Sequence, residues 1–464
     1  MTDAAKPKSR ASRDLTEGPV AGHLRRILLP MIVGVTAVMS VSVVDTYFVG
    51  QLGALQLAAI SFCFPVVITV TSIAIGLGAG ASSCVARAAG RKDEDRVHRL
   101  VTDALILTTV VIGIVSLAGW FLTEPLFRAL GAEDNLIPYI VDYMHTWFAG
   151  VIFIAMPIVA NGVLRSLGDA RAPAAFMVLI AVVNVILDPI FIFGWGPVPA
   201  FGVQGAAIVS ILANLVGVAA ALWLLIFHEK IVAFRPVPVA KLIDSWSEIA
   251  RIGIPAALSN AINPFGITLA TAGFARFGAE AVAGFGVASR IEVFAAIPLL
   301  ALSASIGPVT GQNGGAGHPE RSRRAFQISF AFALFWSLFT AILLAVFAVP
   351  ITNLFTDSAR TLDVAQLYLW IAPVTVAGYG VVIAASAGFN ALGRPLQGMV
   401  MTFSRSLIFY APGVWIGGTL AGIPGAIAGI ALANVVSGLA TAAWTLLYAP
   451  MTAKGARLKP AVSG

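Results

Sequence analysis

Residues 172–195 read APAAFMVLIAVVNVILDPIFIFGW. About 20 apolar residues in helical form cross a bilayer, and this run is long enough to do so. Its hydrophobicity is continuous and not alternating, which marks a helix and excludes the strand of a membrane barrel. Two polar side chains, Asn184 and Asp188, are set into it four residues apart, so both project from one helix face. Pro189 follows and cannot donate a backbone hydrogen bond, which leaves the carbonyl of Val185 free as a ligand. A carboxylate in lipid costs roughly 2.5–3.5 kcal/mol on insertion scales, and residues retained at that cost carry function.

The rest of the chain has the same texture. Of its 464 residues 58% are hydrophobic and 11% charged, against about 25% charged in a soluble protein, so there is too little polar surface to face water all round. Twelve spans are predicted, from 24–49 to 424–449. The expected organisation is a cytoplasmic tail over 1–23, a six-helix bundle over 24–227, a basic cytoplasmic linker over 228–245, a second six-helix bundle over 246–449 and a tail over 450–464.

Basic residues are unevenly placed. Outer loops hold only Arg128, Arg276 and Arg360, and Arg290 and Arg405 fall within spans; the other Lys and Arg lie in the tails, the linker and the inner loops. The positive-inside rule then puts both termini in the cytoplasm. The net charge of +7 has no soluble domain to carry it, so no nucleic-acid partner is expected. The first 20 residues are polar and basic and read as a tail, not a signal peptide. Cys63 and Cys84 fall in one predicted helix about 31 Å apart, beyond disulfide reach.

The chain repeats itself. RRILLPMIVG around Pro30 pairs with ARIGIPAALS around Pro255 at an offset of 225, and Leu167-Gly168 pairs with Leu392-Gly393 at the same offset. GVQGAAIVSILANLVG from Gly202 pairs with GIPGAIAGIALANVVSG from Gly422 at an offset of 220. Each half has an even number of helices, so both enter the membrane from the same side. The fold class is therefore an all-α polytopic membrane protein: twelve transmembrane helices in two parallel six-helix bundles, related by a pseudo-two-fold axis along the membrane normal.

No P-loop sequence is present, so no ATPase subunit or direct ATP use is expected. The run Gly76-Leu77-Gly78-Ala79-Gly80 lies inside an apolar helix, where small residues serve close helix packing. The histidines show no metal-ligand spacing, and no nucleophile–base set shares a membrane depth. An enzyme is not expected, nor a cofactor beyond a coupling ion.

Three acids lie deep within spans: Asp45, Asp188 and Glu292. Asp45 and Asp188 come to similar depth from the outer ends of the first and fifth spans. If close, they cannot both stay ionised without a proton or cation between them. Glu292 follows Arg290 by two residues and so does not share its helix face; a second-half charge pair with Arg290, or with Arg405 of another helix, is expected, with proton coupling in the second half as the alternative.

VDTYFVGQLG (44–53) resembles the first-helix signature of the multidrug and toxic compound extrusion (MATE) family, most like its DinF branch. LRSLGDARAP (164–173), NVILDPIFIFG (184–194), GVASRIE (286–292) and GQNGGAG (311–317) are similar to family motifs at matching places. Together they cover roughly residues 24–449. The resemblance implies an antiporter that expels amphipathic, often cationic compounds in exchange for H+ or Na+. It makes Asp45, Asn184 and Asp188 the cation site, the only place where a metal ion (Na+) is implied, with Ser210 as a completing hydroxyl. Tyr143 and Asn161 match polar positions of the first half's cavity, and Asn260 and Asn263 of the seventh span are assigned to the substrate cavity. The seventh span carries no deep acid, unlike the NorM branch, so the resemblance does not extend a cation site to the second half.

The expected protein is a monomeric secondary antiporter of a bacterial inner membrane, meeting small-molecule substrates and the lipid bilayer. A flippase for a lipid-linked saccharide is the alternative. It calls for a cavity rich in Arg and Lys, and only Arg290 and Arg405 lie within spans.

Overall fold

The structure, a computed structural model, describes residues 14–232 and 238–452; most of the two predicted tails lies outside them. The described residues are helical almost throughout, with one isolated bridge between Trp195 and Val198. The all-α class expected from the sequence is the one the chain adopts.

In the first half the helices are α1 (Val20–Gly50), α2 (Ala54–Gly90), α3 (Glu94–Ala129), α4 (Ile137–Ser166), α5 (Arg171–Phe193) and α6 (Val203–Trp223), the last continuing as a π-helical turn over Leu224–His228. Next comes α7 (Val239–Ala275), which begins seven residues before the predicted linker ends. It is followed by α8 (Ala279–Ala295), α9 (Ile297–Gly315), α10 (Pro319–Thr352), α11 (Ala359–Ile371), α12 (Val376–Ala391), α13 (Pro395–Phe403) with a π-helical stretch over Ser404–Tyr410, and α14 (Ala411–Leu447).

Nine of the described helical stretches are long and apolar enough to cross a membrane on their own, and a bent pair makes a tenth. The predicted twelve spans are recovered once two further features are counted. Ser259, Asn260 and Asn263 dilute the apolar character of α7. The continuous helical stretch Pro395–Leu447 contains two spans, divided inside α14 at Ala421 and Gly422, where Gly422 takes φ 62°, a left-handed conformation that glycine adopts without steric cost. The bent pair is α8 and α9, angled by 44°. Pro298 opens α9 and lacks the N–H that would continue the ladder, and the Ala295 carbonyl beside the bend accepts from Trp336 Nε1 at 2.8 Å.

The chain forms two compact units: residues 29–257, and residues 15–28 with 258 onward. In the first, α2 packs on α3 and α4, and α4 and α5 pack on α6, around a core that includes Leu100, Ile140, Trp147 and Val163. In the second, α12 packs on α9, α10 and α14, and α8 on α11, with Phe274, Phe285, Tyr368 and Ile427 at one core. Large apolar side chains such as Phe121, Leu117, Phe335 and Ile342 point outward, as helices solvated by lipid require. The unit boundary falls inside α1 and α7. The first turns of α1 belong with the second unit, and the first turns of α7 with the first.

The glycines of the 76–80 run do the packing expected of them. A Cβ on Gly76 would stand 2.4 Å from the Gly253 carbonyl oxygen, and one on Gly80 2.4 Å from that of Ile249, so α2 and α7 touch backbone to backbone here. Gly80→Ala is expected to cost about 2 kcal/mol through overpacking, read as a lower melting temperature in detergent. An unchanged melting temperature would refute the tight crossing.

Candidate functional site

Two helices of the first unit, α1 and α5, bring two of the three intramembrane acids, Asp45 and Asp188, together. With its carboxamide turned so that the nitrogen faces both acids, Asn184 donates to Asp45 Oδ1 at 2.9 Å and to Asp188 Oδ2 at 3.0 Å. The two carboxyls are also within hydrogen-bonding reach of each other. Asn184 and Asp188 share a face because they stand one turn apart on α5, and both are buried. Among the described residues Asp188 Oδ1 has no hydrogen-bond partner. Tyr143 of α4 is close enough to feel the charges of Asp45 and Asp188. It also packs with Val49, Ile192 and Ala206, which ties the ends of α1, α5 and α6 to α4. Pro189 sits directly after Asp188 inside α5.

The remaining expected residues are placed as follows. Ser210 lies on α6, where its carbonyl accepts from Asn214; no hydrogen bond joins its hydroxyl to the acids among the described residues. Asn161 is buried in α4 with Oδ1 unpartnered among the described residues, five turns from Tyr143 and so about 27 Å along the axis. It belongs to another part of the unit. Asn260 is exposed on α7.

In the second unit Arg290 and Glu292 do not meet: Arg290 is exposed, and Glu292 Oε2 instead accepts from Tyr368 Oη at 2.6 Å. Two residues apart on a helix, their side chains diverge. Glu292 feels Arg405 electrostatically, but no ion pair joins them among the described residues. Asn263 does join a polar cluster, accepting from Arg405 Nη1 at 3.2 Å and reaching the Tyr379 hydroxyl at 3.4 Å. Asn434, Tyr379 and Tyr410 complete that cluster and escaped the sequence reading. The repeat held a signal for one of them, since the offset of 220 carries Asn214 onto Asn434.

The MatE family model matches the chain twice, at residues 30–190 and 255–416, which is the internal repeat seen in the sequence. The FAD transporter of Shewanella oneidensis is 36% identical, over 92% of this chain and 94% of its own. The multidrug export protein MepA of Staphylococcus aureus is 24% identical over 91% of this chain and 93% of its own. Among solved structures, the MATE transporter VcmN of Vibrio cholerae in its bent form superposes with a TM-score of 0.86 at 30% identity, covering 92% of this chain and 97% of that one. The chain is a multi-pass membrane transporter of small molecules, not an enzyme, and it belongs to the MatE family of multidrug and toxic compound efflux transporters.

Proposed function

We propose that this transporter is a secondary antiporter, exporting amphipathic and often cationic compounds in exchange for H+ or Na+ by alternating access. The observation that carries the reading is the Asn184 amide bridging Asp45 and Asp188 inside the membrane. Two carboxyls held this close repel unless a proton or cation stands between them. Loading the site therefore removes negative charge, and with it the hold on a cationic substrate. Cation and substrate then favour different states of one bistable protein, which is what coupling requires. Pro30 in α1 and Pro189 in α5 are bending points where such a change can be absorbed. The distribution of basic residues supports both termini being cytoplasmic, and we take the working unit to be a monomer in a bacterial inner membrane.

The test is efflux substrate uptake into everted vesicles, driven in turn by an imposed pH gradient and an imposed Na+ gradient. Uptake answering one gradient names the ion. Uptake answering neither, with the protein present and folded, defeats the antiport reading and returns the flippase alternative.

A second reading concerns cargo. The Shewanella relative is named for FAD, an anionic dinucleotide, and it matches nearly the whole chain. A flavin nucleotide is therefore a substrate to include beside cationic dyes in the vesicle assay.

A further inference from the structure

The second half repeats the first in position but not in charge. The offset of 225 carries Tyr143 onto Tyr368, and that of 220 carries Asn214 onto Asn434. In the first half the tyrosine stands near two acids. In the second, the helix corresponding to α5 presents a cation instead, Arg405.

Arg405 is 7% exposed. Its Nε and Nη2 donate to Asn434 Oδ1 at 3.1 and 3.0 Å, and its Nη1 to Asn263 Oδ1 at 3.2 Å. The guanidinium carbon lies 4.4 Å from the centre of the Tyr379 ring and 5.2 Å from that of Tyr410. All of these partners are neutral. Among the described residues no carboxylate forms an ion pair with it.

A buried charge without an ionic partner is costly to keep. A guanidinium has five N–H groups, and the contacts above engage three. Its planar fork is held flat by two rings and two amides, which preorganises it for a phosphate or carboxylate. The backbone agrees: Ser404–Tyr410 is π-helical, a widened turn that recurs at functional sites, and it supplies both Arg405 and Tyr410.

We propose that Arg405, framed by Tyr379, Tyr410, Asn263 and Asn434, binds an oxyanion (phosphate or carboxylate) of the exported molecule, and that Glu292 is the internal anion competing with it. This rests on the transport reading and adds a cargo class to it, molecules bearing a negative group. Glu292 faces Tyr368, Tyr379, Tyr410 and Arg405. Of these only Arg405 carries a fixed charge, so neutralising Glu292 raises the net charge of the cluster by one.

Full-length protein in phosphatidylcholine nanodiscs is titrated with FAD, with riboflavin (the same ring system without phosphate) and with the cationic dye ethidium. Wild type is expected to bind FAD more tightly than riboflavin. Arg405→Gln is expected to weaken FAD by at least about tenfold and to leave riboflavin and ethidium unchanged. Glu292→Gln, which keeps the arginine and its scaffold, is expected to tighten FAD several-fold. Equal binding of FAD and riboflavin to wild type overturns the proposal. So does an Arg405→Gln variant that loses all three ligands alike or none. If that variant does not fold, Glu292→Gln decides, and FAD binding that fails to tighten overturns it. Adding phosphatidylglycerol separates cargo from lipid: FAD binding abolished only in the anionic discs would assign the site to a headgroup and overturn the cargo reading. Gradient-driven ethidium efflux in vesicles reports on the transport reading independently of all these results.

Discussion

Asp188→Asn is expected to reduce gradient-driven efflux by about 100-fold, near the upper end of the coupling free energies of 1–3 kcal/mol that link two ligands through one protein. The substitution keeps size and hydrogen bonding but removes the group that holds the proton or cation. Asp188 is buried, one of its oxygens accepts from the Asn184 amide and the other has no partner among the described residues, so the loss of charge is not made up from elsewhere. Asp45→Asn is expected to match it, and the double variant to be no worse than either single one. That non-additivity is the signature of two groups acting as one site. Binding of a cationic substrate should fall in the variants as well, because the neutral pair resembles the loaded state. Gradient-driven efflux persisting in Asp188→Asn, at wild-type levels of folded protein, would place the coupling step elsewhere.

How much of this was legible beforehand depended on whether the signal was local. The spans follow from composition over about 20 residues. The acids stand out because they interrupt that composition, and the one-turn spacing of Asn184 and Asp188 fixes their common face. That Asp45 on α1 joins them is a tertiary fact, and depth counting anticipated it only as a condition. Arg405 shows the limit more clearly. Charge alone suggested an ion pair with Glu292, whereas the structure surrounds the guanidinium with Asn434, Asn263 and Tyr379 from three other helices and Tyr410 from its own π-helical stretch. Two of those residues are aromatic in an apolar chain, where they look like ordinary packing. The span breaks at Ala296 and at Ala421–Gly422 were likewise hidden, since hydropathy does not register a bend between apolar segments.

The exchange of helix beginnings between units was not legible either, and the repeat explains its chemistry once the contacts are known. The offset of 225 carries Arg87 onto Gln312 and Arg96 onto Arg321. In the second unit, Gln312 Oε1 accepts from the Leu15 N–H at 3.0 Å, and Arg321 donates to the Gly18 carbonyl at 2.8 Å and to the Leu15 carbonyl at 3.2 Å. In the first unit, Arg87 and Arg96 grip Glu248 on α7 at 3.0 and 2.6 Å. The same two positions of each half thus hold the segment that begins a bundle, by amide and carbonyl contacts in one unit and by an ionic triad in the other.

Glu248→Gln is therefore expected to be more damaging than the loss of Gln312 or Arg321 contacts in the second unit. Removing one partner of a buried ion pair typically costs about 3–5 kcal/mol. The Arg87 side chain is only 7% exposed but that of Glu248 is 36% exposed, so water offsets part of the loss and about 3 kcal/mol is expected. Two guanidiniums would then face one another across a neutral amide, and the first turns of α7 should loosen from α2. Cys84 reports on that directly. It is buried against Arg87, whose Nη2 lies 3.5 Å from its sulfur, so it should react slowly with a membrane-permeant maleimide in the wild type. In a Cys63→Ser background, Glu248→Gln should accelerate labelling of Cys84 and lower the melting temperature. Glu248→Asp, which restores the charge on a shorter stem, should recover part of both. Labelling and melting unchanged by Glu248→Gln would show that backbone contacts at Gly76 and Gly80 hold α7 without the triad.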